Sequence, residues 1–97
     1  MPRDAGLVES GWHVYILRCR DEAYYVGLTS DLARRCDEHF TGRGGHYTKS
    51  NPPARLLYSE SFAIRADAEK RERQFKGWTR RKKAALIAGD MELLKRL

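Results

Sequence analysis

The chain has 97 residues, 41% of them apolar and 10% aromatic, with a net charge of +6 and a pI near 9.6. That length allows one domain with one modest core; the composition excludes global disorder, and no apolar run approaches the ~18–20 residues that span a bilayer. The excess charge lies in the C-terminal third: residues 1–62 carry 8 Lys/Arg against 8 Asp/Glu, whereas residues 63–97 carry 11 against 5. A one-sided basic surface suits a polyanion, nucleic acid ahead of a membrane surface, with a solvated helix face as the plain alternative.

Residues 1–10 read as a loose N-terminal arm and residues 11–97 as a single domain with basic C-terminal helices. The arm has no apolar h-region, so the expected compartment is the cytoplasm. Trp12 to Cys19 alternates with apolar residues on both faces, which predicts a central strand covered on both sides. Ala23 to Thr29 predicts a second strand, paired with the first as a hairpin across the polar turn Arg20-Asp21-Glu22. Tyr25, Gly27 and Thr29 share one face, and the missing side chain at Gly27 permits a close approach there. The turn has no Asn-Gly or Asp-Gly signal, so the register stays open.

Ser30 or Asp31 caps a helix that runs to about Phe40. Leu32, Cys36 and Phe40 form its expected buried stripe, bordered by Arg35 and His39, with Arg34 more exposed. Thr41 to Ala54 reads as a loop carrying Arg43, His46 and Lys49, a basic set suited to phosphate contact. Arg55 to Phe62 predicts a third strand, and Ala63 to about Lys76 a helix with apolar positions Ile64, Ala68 and Phe75. Glu72 falls on that same stripe, where a carboxylate is costly unless it is paired or holds a metal. Gly77 ends this helix. Thr79 caps the next, which stops at Gly89. Its first turn, Arg80-Arg81-Lys82-Lys83, opposes the helix dipole, a cost that a polyanion would relieve. The two cysteines, Cys19 and Cys36, form no metal-binding spacing and read as reduced thiols.

Five residues could share one reaction. Glu72, a lone carboxylate with basic neighbours, suits one divalent cation, Mg²⁺ or Mn²⁺. Arg35 offers a fork for phosphate oxygens, and His39 can move a proton near neutral pH. A nearby cation would favour the phenolate of Tyr15 or Tyr25, making it a base for water. Phosphodiester hydrolysis is the reaction for which the set makes sense. Each residue also has an ordinary alternative: core aromatics for the tyrosines, an ion pair with Asp31 or Glu38 for Arg35, a helix-end position for His39, and a neighbouring Arg for Glu72.

HVY at 13–15, YVG at 25–27, Arg35, His39, the loop GRGGHYT, the strand LLYSE and the segment AEKRERQFKGW together resemble the GIY-YIG nuclease superfamily, in its small stand-alone bacterial branch. The resemblance runs from about Gly11 to Ile87. It implies an α/β (α+β) fold with a small central three-stranded antiparallel sheet flanked by helices. It also implies metal-dependent cleavage of nucleic-acid phosphodiester bonds, and the leading reading is an endonuclease that binds and cleaves DNA, in repair or recombination. On that resemblance Tyr15 is the general base, Tyr25 places water and phosphate, Arg35 stabilises the phosphate, His39 matches a histidine of several branches, and Glu72 binds the metal. Arg43, His46, Lys49, Arg80, Arg81, Lys82 and Lys83 are the candidate nucleic-acid contacts. His13 stands where the first motif has its glycine. Leu28 stands where the excision-repair branch has a lysine, which leaves a proton relay to His39 or His46. The alternatives are a non-catalytic nucleic-acid-binding module, an RNA-acting enzyme, or a nuclease subunit that needs a protein partner; no membrane role is expected.

Overall fold

The computed structural model describes residues 11–41 and 53–97, which form a three-stranded antiparallel sheet in the order β2-β1-β3, with helices on both faces. The elements are β1 (Trp12–Cys19), β2 (Tyr24–Thr29), α1 (Leu32–Phe40), β3 (Pro53–Phe62), α2 (Arg65–Gly77), α3 (Arg80–Ala88) and α4 (Met91–Arg96). The expected α+β architecture and the central place of β1 are both observed. β2 starts one residue later than its pattern suggested and β3 two residues earlier. None of the described helices is long and apolar enough to cross a membrane.

Period-two alternation along β1 sends Val14 and Ile16 to one face and His13, Tyr15, Leu17 and Cys19 to the other, and all six are buried. The register left open by the turn is fixed by backbone and Asx chemistry. Glu22 N–H donates to the Cys19 carbonyl (2.8 Å) and Cys19 N–H to the Ala23 carbonyl (2.9 Å). Asp21 Oδ1 accepts from Ala23 N–H (2.9 Å), and Glu22 takes the left-handed conformation that Asn or Gly would fill more easily (φ 70°). Tyr15 is thereby set opposite Gly27, and in the β1–β3 ladder it pairs with Ser59.

The Val14/Ile16 face carries the main core. Val26 joins it from β2, Ala68 and Phe75 from α2, and Leu86 from α3. Phe75 is fully buried and packs edge-on against Tyr58 and beside Trp78. Full burial of such a side chain contributes about 1.5–3 kcal/mol. The stripe expected to begin at Ile64 begins instead at Ala68, because Ile64 is the residue before the first helical turn and is 59% exposed.

α2 is pinned to β3 by a charged fork. Arg71 donates from Nε and Nη2 to the two carboxylate oxygens of Glu60, both at 3.0 Å, and Tyr58 Oη donates to Glu60 Oε2 at 2.5 Å. Burial pushes the Glu60 carboxyl up, but the Arg71 and Tyr58 hydrogen bonds outweigh it and the net direction is down. Burial, with the bond to Glu60, pushes the Tyr58 phenol up to about 12. This fork fixes the rotation of the helix that carries Glu72.

The caps of α3 follow their sequence signals. Thr79 Oγ1 accepts from Lys82 N–H (3.1 Å), and Gly89 closes α3 in the left-handed region (φ 74°). Asp90 caps α4 through Leu93 N–H (3.1 Å). Asp31, rather than Ser30, caps α1 through Arg34 N–H (3.1 Å). The α1 stripe needs correction: Phe40 is 46% exposed and Leu32 and Cys36 are only half-buried, while His39 is fully buried. The helix presents the neighbouring register to the sheet because the imidazole has a hydrogen-bond partner there, so its burial costs little.

Candidate active site

Tyr15, Tyr25 and His39 meet on the α1 side of the sheet. Tyr15 is 1% exposed, and its ring crosses Gly27 so closely that a Cβ at position 27 would collide with the end of the ring. The close approach that Gly27 was expected to allow is thus made by the cross-strand tyrosine. The Tyr15 hydroxyl lies 3.0 Å from His39 Nε2, a buried hydrogen bond between strand and helix. Tyr25 stands edge-on to His39, with ring centroids 5.1 Å apart, and 6.4 Å from Tyr15.

α1 is held against this face by Thr29. Its Oγ1 accepts from Asp31 N–H (3.0 Å) and donates to the Asp31 carbonyl (3.2 Å), joining the end of β2 to the start of the helix. Arg35 lies one turn before His39, its Nε 3.4 Å from Glu38 Oε1, so the ion pair weighed for it is present. The pair is partly solvent-exposed and weak enough for a phosphate to displace. Arg34 lies outward, near Asp31 and Glu38, as expected.

Two protonation states are set by burial. Burial outweighs the Arg35 guanidinium, which acts on the Tyr15 phenol in the expected sense, lowering it. Burial raises it well above the ordinary phenol range, the Tyr25, Cys36 and Glu72 groups add to that, and only Arg35 acts in the opposite sense. His39 is pulled down, first by burial and then by Arg35, with Glu38 partly opposing. Near neutral pH the site therefore holds a protonated phenol beside a neutral imidazole, a donor matched to an acceptor. Burial also raises the Cys36 and Cys19 thiols; both cysteines are free and protonated.

Glu72 is half-buried on α2 and near enough to influence Tyr15 electrostatically. Its partner is Lys76, Nζ to Oε2 at 3.0 Å, rather than an arginine. Among the described residues no three His, Cys, Asp or Glu side chains gather as a ligand set. A single carboxylate fits Mg²⁺ or Mn²⁺, which keeps several waters and takes other oxygens from a substrate phosphate. It does not fit a multi-ligand ion such as zinc.

The described members of the basic set, Arg80, Arg81, Lys82 and Lys83, lie on α3 and away from this cluster. Arg80 stacks on the Tyr24 ring at 4.1 Å and donates to the Glu22 carbonyl, and Lys82 lies 4.7 Å from the Trp78 ring centre. Tyr24 belongs to the core face, opposite Tyr25. Arg81 is exposed; Lys83 is half-buried, its amine lowered by burial and then by Arg80. Arg43, His46 and Lys49 lie outside the described residues.

Two site-face residues were not singled out for a role by sequence. Thr29 is buried as the tie just described, and His13 is buried with Nδ1 3.2 Å from Ser61 Oγ. Their strand parity with Tyr15 and Tyr25 was the available signal.

Comparison with known proteins finds relatives in sequence and in fold. Residues 11–85 match the model of the GIY-YIG catalytic domain family. The UPF0213 protein XAC3202 of Xanthomonas axonopodis is 43% identical over 76 residues, covering 78% of this chain and 74% of that protein. The UPF0213 protein VNG_2274C of Halobacterium salinarum is 42% identical, covering 77% and 97%. The solution structure of the UPF0213 protein BH0048 from Bacillus halodurans superposes with a TM-score of 0.53 at 38% identity, covering 79% of this chain and 82% of that one. That of EF2693 from E. faecalis gives 0.55 at 34% identity, covering 81% and 84%.

Proposed function

Because the chain belongs to the GIY-YIG catalytic domain family, we propose that it is a metal-dependent endonuclease that hydrolyses DNA phosphodiester bonds, in repair or recombination. The observation that carries this reading is the buried Tyr15–His39 hydrogen bond at 3.0 Å, with Arg35 one helical turn away.

Arg35 exchanges Glu38 for two non-bridging oxygens of the scissile phosphate, which its planar fork matches. Tyr25, beside Tyr15 and His39, borders the place where water must stand. Tyr15 passes its proton to His39 Nε2 as it accepts one from the attacking water, so the phenol need not ionise beforehand. That relay requires the neutral His39 to carry its own proton on Nδ1, and the downward shift of the imidazole keeps it ready to accept. The phosphorus gains the bond to the water oxygen as the bond to the leaving oxygen breaks. Glu72, released from Lys76, would hold the divalent ion, which supplies Lewis-acid stabilisation of the charge on the phosphate and leaving oxygens.

The test is incubation of the purified protein with labelled duplex and branched DNA, and with RNA of the same sequence, in Mg²⁺ or EDTA. Cleavage of DNA in Mg²⁺, abolished by EDTA and by Glu72→Gln, is the expected result. Binding without cleavage in Mg²⁺ would sink the enzymatic reading and leave a nucleic-acid-binding module. Preferential cutting of the RNA would reassign the substrate.

A further inference from the structure

The apolar core face of the sheet, covered by α2 and α3, ends beside the β1–β2 turn in a group of like charges. Arg18 on β1 stands directly opposite Arg55 on β3 and Tyr24 on β2. Cross-strand partners share a face, and like charges in that relation are destabilising. Arg80 joins them by stacking on Tyr24, and Lys83 lies close enough to Arg80 for its ammonium to be disfavoured. The ion pairs observed among the described residues are made by Arg34, Arg35, Arg65, Arg71 and Lys76, and not by Arg18, Arg55, Arg80 or Lys83. Asp21, the acid nearest in sequence to Arg18 and Arg80's turn, gives Oδ1 to the Ala23 amide. Arg18 Nε is itself buried with no hydrogen-bond partner among the described residues. A buried guanidinium N–H left without an acceptor costs free energy that a bound anion would return.

We infer that Arg18, Arg55, Arg80 and Lys83 form a second phosphate-binding site, which takes a backbone phosphate of the same nucleic acid whose scissile phosphate lies at Tyr15 and Arg35. This rests on the nuclease reading above. It extends that reading to Arg18 and Arg55, which neither charge runs nor motifs single out. The path between the two sites is short along the chain. Tyr24 and Tyr25 are consecutive residues of β2, an outer strand of the sheet, and point to opposite faces. A strand held beside Tyr25 reaches Arg80 by passing round that edge. Sequence readout is not expected at the second site, because phosphate contacts fix position and carry no base information.

The test is the salt dependence of binding to a fluorescein-labelled branched DNA, in EDTA so that nothing is cut. For the wild type, Arg18→Met and Arg55→Met, affinity is measured from about 50 to 200 mM salt. Each variant is expected to lower the slope of log affinity against log salt by about one, so that the fourfold rise in salt weakens it about 3- to 4-fold less than the wild type. Thermal unfolding in low salt without DNA is expected to show Arg18→Met no less stable than the wild type, since cross-strand repulsion and an unpartnered N–H are removed together. Arg55 is exposed, so Arg55→Met decides the matter by itself should Arg18→Met fail to fold. Wild-type slopes in the folded variants would overturn the second site and leave the nuclease reading standing if Glu72→Gln still abolishes cleavage. A wild-type protein that binds no DNA at low salt would overturn both.

Discussion

The same three strands build two unlike faces. On one, Val14, Ile16 and Val26 meet Ala68, Phe75 and Leu86, an apolar contact made for stability. On the other, His13, Tyr15, Thr29 and His39 are buried with polar atoms whose burial is costly without a partner, and among the described residues His13 Nε2 has none. The contrast separates an apolar face made for stability from a polar face that carries the proposed chemistry. One strand, β1, serves both by alternation alone, so neighbouring residues 14 and 15 belong to different tasks. Substitutions on the two faces should therefore fail in different ways.

The largest effect is expected on the apolar face. Phe75→Ala should lower unfolding free energy by about 3–5 kcal/mol in urea titration. A loss below ~1 kcal/mol would show that the core does not rest on this ring. Gly27→Ala sharpens the comparison, because it adds one methyl to the polar face where Tyr15 lies. Overpacking should cost about 1–3 kcal/mol and displace the tyrosine, so DNA cleavage should fall further than stability alone explains. An unchanged rate with unchanged stability would mean that Tyr15 does not occupy this place. Smaller still is a pH effect. The folded-state pKa of His39 lies below its unfolded value, so its contribution to stability is fully present above the unfolded value of about 6.5. That contribution declines as pH falls below it. Between pH 7 and 5 the wild type should lose more of its urea midpoint than His39→Gln loses; equal losses would remove His39 as the cause.

Much of this was legible in the residues. Alternation placed β1, Thr79 and Gly89 marked the ends of α3, and the order of Tyr15, Tyr25, Arg35, His39 and Glu72 indicated the family. Other features depend on contacts between distant segments. Helical periodicity gave Phe40 the buried place because it is more apolar than His39, whereas the hydrogen bond to the Tyr15 hydroxyl makes the burial of the imidazole favourable. The phenol was expected to fall in pKa beside cations, but its burial under α1 outweighs Arg35. The Arg18–Arg55 juxtaposition depends on a register shift in the β1–β3 ladder between Ile16 and Leu17, which no local pattern announces.

The central claim is that the Tyr15–His39 hydrogen bond is a proton path and not merely a tie between strand and helix. Tyr15→Phe tests it most directly, because the ring that fills the face is kept and only the hydroxyl is removed. Single-turnover cleavage of saturating DNA in Mg²⁺ should fall about 10²- to 10⁴-fold, while DNA affinity holds and stability falls by no more than about 1–3 kcal/mol. Cleavage at the wild-type rate by the folded variant would contradict the claim and return Tyr15 to a structural role.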